Sequence, residues 1–458
     1  MCGWKHTPAP HPRIIATSRT MSKFYHKNTV RSLPNKKIAI IGGGVAGLTA
    51  AYLLSEKYDI TLFEKSGKLG GNAYTLTTPE GAEVDIAAAV FGRHSYKNLF
   101  RLFRKLNVET ISSFRMHPLE LSGLGASFFD LDTKKGIYLT PGIKGLLAQK
   151  FEILRPGHVA SILQFALGLH RAQKLLRRGD LAGLTVEDAL KKVPELQGDA
   201  KLIFVACLCL ISSMNCDDVL DAPAGFFLEK LKKHDDLVPP KALVSVRFAK
   251  NGTKSYVQAL SAPYSNSIVL NAKLKTIRRE NAAVRVLMEE GRELLFDKVV
   301  FACNADQALA LLDQPTDDEK RLLGAWKYTE GTIIVHRDHS HFPKRELMEG
   351  YTFLYRKKGR YLETSVSGSL WALPNAAKTC DLISTQHPNF PIRKDHIVFE
   401  KVFRTPLFDF QSCPTVKDLP SLNGTRNTYY CGSHFGFGLH EDAVTSAIDV
   451  ARALNVDF

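Results

Sequence analysis

A short apolar strand that runs straight into three glycines, with a helix behind them, restricts this chain more than any other feature. Lys37-Ile38-Ala39-Ile40-Ile41 is mainly apolar and β-branched, as expected of a strand buried on both faces of a parallel sheet. Gly42-Gly43-Gly44-Val45-Ala46-Gly47 follows, and Leu48 to Ser55 reads as a helix. Each glycine of this G-x-G-x-x-G run has a physical task. Gly42 permits the tight turn, Gly44 lets the backbone approach a pyrophosphate, and Gly47 lets helix and strand pack closely. Ala46 lies in the first turn, whose unpaired N–H groups and dipole favour phosphate. A second strand, Asp59 to Phe63, ends at Glu64, 22 residues after Gly42. A carboxylate there accepts hydrogen bonds from ribose hydroxyls and repels a 2′-phosphate. The whole set predicts a dinucleotide site.

Two further stretches narrow the dinucleotide. Glu64-Lys65-Ser66-Gly67-Lys68-Leu69-Gly70-Gly71-Asn72 is an acid, a short loop and Leu-Gly-Gly. Near the C-terminus, Asn427 to Cys431 reads as a strand entering Gly432, and a helix is expected from Ala443 to Leu454. Both resemble motifs of the superfamily of FAD-dependent amine oxidases, phytoene desaturases and protoporphyrinogen oxidases. The resemblance covers most of 36–458, dense at both ends and thin in the middle. It implies FAD, with Lys65, Gly70, Gly71 and Asn72 beside the phosphates and the Lys273-Leu274 backbone at the adenine. It also implies Gly432, Asp442 and Ala443 at the ribityl chain and the flavin edge. Strands at Ile268–Asn271 and Val299–Ala305 are implied as well, the first preceded by Lys250–Val257. His336-Arg337-Asp338 and Gly436–Asp442 resemble one branch, discussed beside fatty-acyl-modifying enzymes. Three departures stand out: Asn72 where many relatives have Arg, Ser433 where many have an acid, and Ala87-Ala88-Ala89 where a glycine is usual beside the flavin ring.

The fold class is therefore α/β. A Rossmann-type FAD-binding domain, discontinuous over 36–110, 240–312 and 420–458, is joined to an α+β substrate domain with a helical cap over 111–239 and 313–419. Residues 140–235 read as mostly helical, with a turn and short helix between Asp217 and Glu229. Ile162, Phe165, Ala166, Leu169, Ala172 and Leu176 share one helical face. Lys144, Lys150, Arg155, Arg171, Lys174, Arg177 and Arg178 flank it, against Glu152 alone. Two readings stay open: a helix packed on the core with a solvated basic face, or one lying on an anionic membrane.

The formal charge of +15 is uneven: eight Lys and Arg precede the first acid, Glu56. The rest is mildly basic, so no nucleic-acid partner is expected. Residues 1–35 form a basic tail, read as disordered, as an organellar targeting segment, or as partly upstream of a start at Met21. Eight cysteines without a C-x-x-C pair read as free thiols of a reducing, cytoplasmic setting. His336, His339 and His341 beside Asp338 do not have common metal-ligand spacing, and no metal is expected.

In a flavoprotein the cofactor carries the electron chemistry, so protein acids and bases are few. His440, His434 and His336 are the candidates for proton transfer. The expected activity is removal of a hydride from a hydrophobic substrate (fatty-acyl, isoprenoid or amine), with O₂ or a quinone as acceptor. A lipid isomerase or saturase, and a non-catalytic FAD-binding protein, are the alternatives. Peripheral membrane contact would suit a lipid substrate.

Overall fold

The first strand, Lys37–Ile41, lies near the middle of a five-stranded parallel sheet in a computed structural model of the chain. The structure describes residues 36–458 except 88, 114, 118–119, 123–124, 140–146, 149, 151–154, 239–240, 282, 359–360 and 375–379. The expectations for the tail 1–35 and for Lys144, Glu152 and Ala88 fall outside these residues.

The sheet draws its strands from distant parts of the chain. Lys37–Ile41 pairs in parallel with Asp59–Phe63 on one side and Lys298–Phe301 on the other. Ile268–Val269 and Thr428–Tyr430 complete the two edges. Parallel neighbours need crossovers, and helices supply them. Val45–Leu54 is buried along almost its whole length, packed against the helices Thr253–Ser261 and His440–Ala453. That explains its near-continuous apolar sequence, which carries no charged residue.

A second, seven-stranded sheet lies beside it, in the order Gly136–Leu139, Gly125–Asp130, Gly350–Lys358, Tyr361–Ser369, Ile383–Gln386, Lys327–His336 and Ile397–Leu407. One of its pairs, Gly125–Asp130 with Gly350–Lys358, is parallel and the others are antiparallel. The expected β-branched run at Thr332–Val335 is the core of one strand. The helices Pro156–Arg178, Val186–Lys191, Gly198–Ser212, Cys216–Asp221 and Ala224–Lys233 form the cap. Asp217–Glu229 thus holds parts of two helices, separated at Pro223. Of the face expected from sequence, Phe165 and Ala172 are buried, Ile162, Leu169 and Leu176 half-buried, and Ala166 exposed. The core-packed reading therefore holds for that face. Seven cysteines are free thiols; Cys2 lies outside the described residues.

One buried ion pair ties the closing strand to its surroundings. The side chains of Arg279 and Glu319 are 2% and 1% exposed and form a two-pronged contact. Tyr430 Oη and the Thr316 N–H also donate to Glu319, at 2.5 and 2.7 Å. Burial alone would raise the Glu319 pKa, but these donors outweigh it and hold the carboxyl below its ordinary 4.5. Replacing Glu319 by Ala leaves Arg279 buried and unpaired, at an expected cost of about 3–5 kcal/mol. In the parent, this carboxylate's contribution is present above pH 4.5 and is lost as the pH falls below it. Urea unfolding of parent and variant from neutral to acid pH checks both; an unchanged midpoint would contradict them.

Candidate functional site

The turn after the first strand is built as its glycines require. Gly42 has φ +109°, and a Cβ there would lie 2.8 Å from the Ala302 carbonyl oxygen. A Cβ on Gly47 would stand 1.9 Å from the Gly42 oxygen, so strand and helix meet only because neither carries a side chain. Gly44 differs: a Cβ on it would meet nothing within 4 Å. No side chain caps the helix that starts here, and its first turn has no acid. The N–H groups of Val45, Ala46 and Gly47 have no intrahelical acceptor. An open space at an uncapped helix N-terminus is what a pyrophosphate needs.

The Leu-Gly-Gly loop crosses this turn. Gly70 N–H donates to the Gly43 carbonyl at 2.8 Å, and a Cβ on Gly71 would lie 3.2 Å from Gly44 Cα. Gly70 has φ +111°, with the Ala73 oxygen 2.5 Å from any added Cβ. Two glycine turns 28 residues apart in sequence thus form one backbone-lined cradle.

Glu64 is buried at its edge. Its carboxylate accepts from Gly43 N–H at 2.7 Å, Ser66 N–H at 2.8 Å and Ser66 Oγ at 2.7 Å. The acid is thereby oriented by backbone before any ligand arrives. Ala272 N–H donates to the Glu64 carbonyl at 2.9 Å, which brings Leu274, the first residue of the next strand, close in sequence to this edge. Lys65 and Arg404 both donate to the Gln307 amide oxygen, at 2.8 and 3.1 Å, when that amide is turned toward them.

The Asn72 amide donates to the Arg404 carbonyl at 3.3 Å. Arg404 pairs with Asp306 at 2.7 Å, while its Nε is buried without a hydrogen-bond acceptor. The contact between Asn72 and a distant strand is one that sequence reading did not find.

The closing turn is held by its own polar groups. Gly432 exchanges hydrogen bonds with Ser446 Oγ, at 3.0 and 3.2 Å. The helix begins at His440, three residues earlier than expected, and Ala443 is buried in its first turn. Asp442 accepts from the Phe437 and Leu439 N–H groups at 2.9 and 3.0 Å, so its carboxylate shapes the turn. Burial raises its pKa. Lys230 lies in the cap wall, fully buried, its Nζ without a hydrogen-bond partner and 4.8 Å from the Phe408 ring centre. Burial lowers its pKa to about 7, with Asp442 pulling the other way.

The three histidines separate. His440 Nε2 and Tyr256 Oη are 2.8 Å apart, with Phe91 against the imidazole. His434 is buried in the closing turn against Trp326 and Phe435. His336 ends a strand of the other sheet and has no exposed surface. Its Nδ1 accepts from Asp338 N–H at 3.2 Å, so Nε2 carries the proton and donates to Thr385 Oγ1 at 2.8 Å. Both nitrogens are used and the ring is fully buried. His336 is thus a core histidine with both ring nitrogens hydrogen-bonded, unlike the position in the closing turn that His434 and His440 share. Near the expected flavin loop, Ala87 is half-buried and Ala89 buried. Asp85 accepts from Thr75 Oγ1 at 2.6 Å and Thr253 N–H at 2.9 Å, fixing the start of Thr253–Ser261.

Two outcomes follow. Glu64→Gln leaves one acceptor oxygen where two are used, so FAD affinity should fall on the order of tenfold or more, a loss of about 1.5–3 kcal/mol. Fluorescence titration of the apoprotein measures it; equal affinity would contradict the assigned role. Burial lowers each of His336, His434 and His440 from 6.5 to about 4. The stability they protect is complete above pH 6.5 and is lost as the pH falls through about 4. Calorimetry between these values should show unfolding coupled to uptake of up to about three protons; a flat melting temperature would contradict it.

Known proteins share this architecture. A family described as flavin containing amine oxidoreductase matches residues 45–384. An L-amino-acid oxidase of Siganus canaliculatus is 23% identical over 354 residues, 71% of this chain and 61% of that protein. A 15-cis-phytoene desaturase of Synechococcus elongatus is 25% identical over 312 residues, 64% of this chain and 60% of that protein. The matched regions thus span about three fifths of these two relatives. The crystal structure of a CLA-producing fatty acid isomerase from P. acnes has the same fold, with TM-score 0.65 and 16% identity over 91% of this chain and 98% of that one. With the glycine cradle, the oriented acid and the closing helix all in place, this chain belongs to the flavin containing amine oxidoreductase family, and its cofactor is FAD.

Proposed function

We propose that this chain is an FAD-dependent oxidoreductase that takes a hydride from a hydrophobic substrate. The observation that carries the cofactor half of this reading is the open space over Gly44 at an uncapped helix start, bridged by Gly70 and Gly71. The N–H groups of Val45, Ala46 and Gly47 would hold the pyrophosphate, Glu64 the adenosine ribose, and the Leu274 segment the adenine. The turn from Gly432 to Ala443 would meet the ribityl chain and flavin ring.

Bound FAD supplies a two-electron acceptor. The protein's part is to orient the donor, exclude water and set the local charge. An aromatic wall stands where the cap meets the closing turn. Phe226 lies 4.9 Å from Phe437 and 5.2 Å from Phe408, centre to centre. Position 437 carries no phenol, and such a wall favours an apolar chain over a small amine. Lys230 and Asp442, both buried at the same wall, supply a cation and an acid close to the ring's expected edge. His440 is neutral at pH 7 and hydrogen-bonded to Tyr256, so it is placed to accept a proton, becoming imidazolium as it does. O₂ or a quinone would then accept the electrons.

Anaerobic mixing of the holoprotein with fatty acids, isoprenoids and amines tests this reading. The expected result is loss of oxidised flavin absorbance with a hydrophobic member and its return on admitting O₂ or a quinone. Product without bleaching would support a lipid isomerase instead. Reduction by dithionite alone, across the whole panel, would contradict enzymatic turnover.

A further inference from the structure

Pro156–Arg178, the longest helix among the described residues, has a second face that the cap does not use. Its inner side, with Phe165, Gly168 and Ala172, is buried and packs toward Gly198–Ser212. On the other side Val159, Leu163 and Leu167 are 39%, 59% and 62% exposed. Steps of four residues place them in one stripe along the helix. The same side continues into exposed Arg171, Lys174 and Arg178, with Arg177 beside them. The helix contains no acidic residue. Among the described residues, the ion pair that this helix makes is Arg171 with Glu195, at 2.9 Å, which leaves Lys174, Arg177 and Arg178 turned to solvent.

The outward face is therefore apolar in its first half and cationic in its second. Apolar side chains alone would suit many partners, but the charge selects among them. A second copy packed in parallel would bring the same cations together, and one packed antiparallel would set each copy's cations against the other's leucines; neither arrangement satisfies both halves. A polynucleotide would satisfy the cations and leave the leucines in water. An anionic lipid surface satisfies both halves, since leucines enter the headgroup boundary while lysine and arginine meet phosphates. Among the described residues no helix is long and apolar enough to cross a membrane, so such a helix would lie along the surface.

We propose that the outer face of Pro156–Arg178 docks this protein on anionic membranes, with Leu163 and Leu167 inserted and Lys174, Arg177 and Arg178 on lipid phosphates. The inference is independent of which substrate the enzyme oxidises.

Vesicle flotation of the full-length holoprotein tests it, with phosphatidylcholine alone and with phosphatidylglycerol added. The expected result is binding to the mixed vesicles, weakened by salt, and little to the neutral ones. Leu163→Glu with Leu167→Glu should lower that binding at least about tenfold at any salt. Lys174→Glu with Arg177→Glu and Arg178→Glu should remove the preference for phosphatidylglycerol. All these positions are exposed, and unchanged flavin absorbance confirms that each variant is folded. The proposal is overturned if the parent ignores mixed vesicles or binds both kinds equally. It is equally overturned if both variants bind as the parent does, or if gel filtration shows a dimer that the leucine variant breaks.

Discussion

The start of one buried helix, left uncapped and open, governs how the rest of this molecule is arranged. Helix N-termini are usually satisfied by a side chain, because bare N–H groups are costly to leave unpaired. Here Gly44 stands at that place and offers no cap. The surrounding chain is organised to keep the opening clear and well aimed. Gly42 and Gly47 let strand and helix close on one another, and Gly70 ties a second glycine turn across the first. Glu64, bonded to Gly43 N–H, gives the edge its only oriented acid among the contacts described. A side chain at any of these glycines would fill the cradle or push its walls apart.

Distant segments are held to this centre by buried polar contacts. Asp85 joins Thr75 and Thr253, Ser446 clasps Gly432, and Glu319 gathers Arg279, Tyr430 and Thr316. Each contact costs desolvation, and removing one partner would leave the other buried and unpaired. Two of them, Asp85 with Thr253 and Glu319 with Tyr430, link residues more than a hundred positions apart, where hydrophobic packing alone would be less exact about geometry. The closing turn gains most: Asp442 bonds two of its N–H groups, which fixes the path of the backbone between Gly436 and the last helix.

The parallel sheet was legible because its signals are local. A strand, a glycine turn and a terminal acid can each be read within a few residues, which places Lys37–Ile41 and Asp59–Phe63; the strands at Ile268–Val269 and Lys298–Phe301 were implied by the family resemblance and are shorter than it suggested. The partners of side chains were not legible, because they arrive from elsewhere in the chain. Asn72 gave no hint that it would bond to Arg404, 332 residues away. His336 looked free to work until the fold supplied Thr385 and Asp338 for its two nitrogens. In Pro156–Arg178 the helical period exposed one apolar face to view, and the structure packs that face inward. The leucines on the other side were hidden in the same period, since a sequence does not say which of two apolar stripes a neighbour will cover. Lys230 was one lysine among many until burial singled it out.

If the glycine cradle holds the pyrophosphate and Glu64 the adenosine beyond it, affinity must depend on that half of the cofactor. Calorimetric titration of the apoprotein with FAD and, separately, with FMN measures this directly. FAD should bind with one site per chain, and FMN, which lacks the second phosphate and the adenosine, should bind far more weakly. Equal affinity for the two, or no uptake of FAD, would contradict the account.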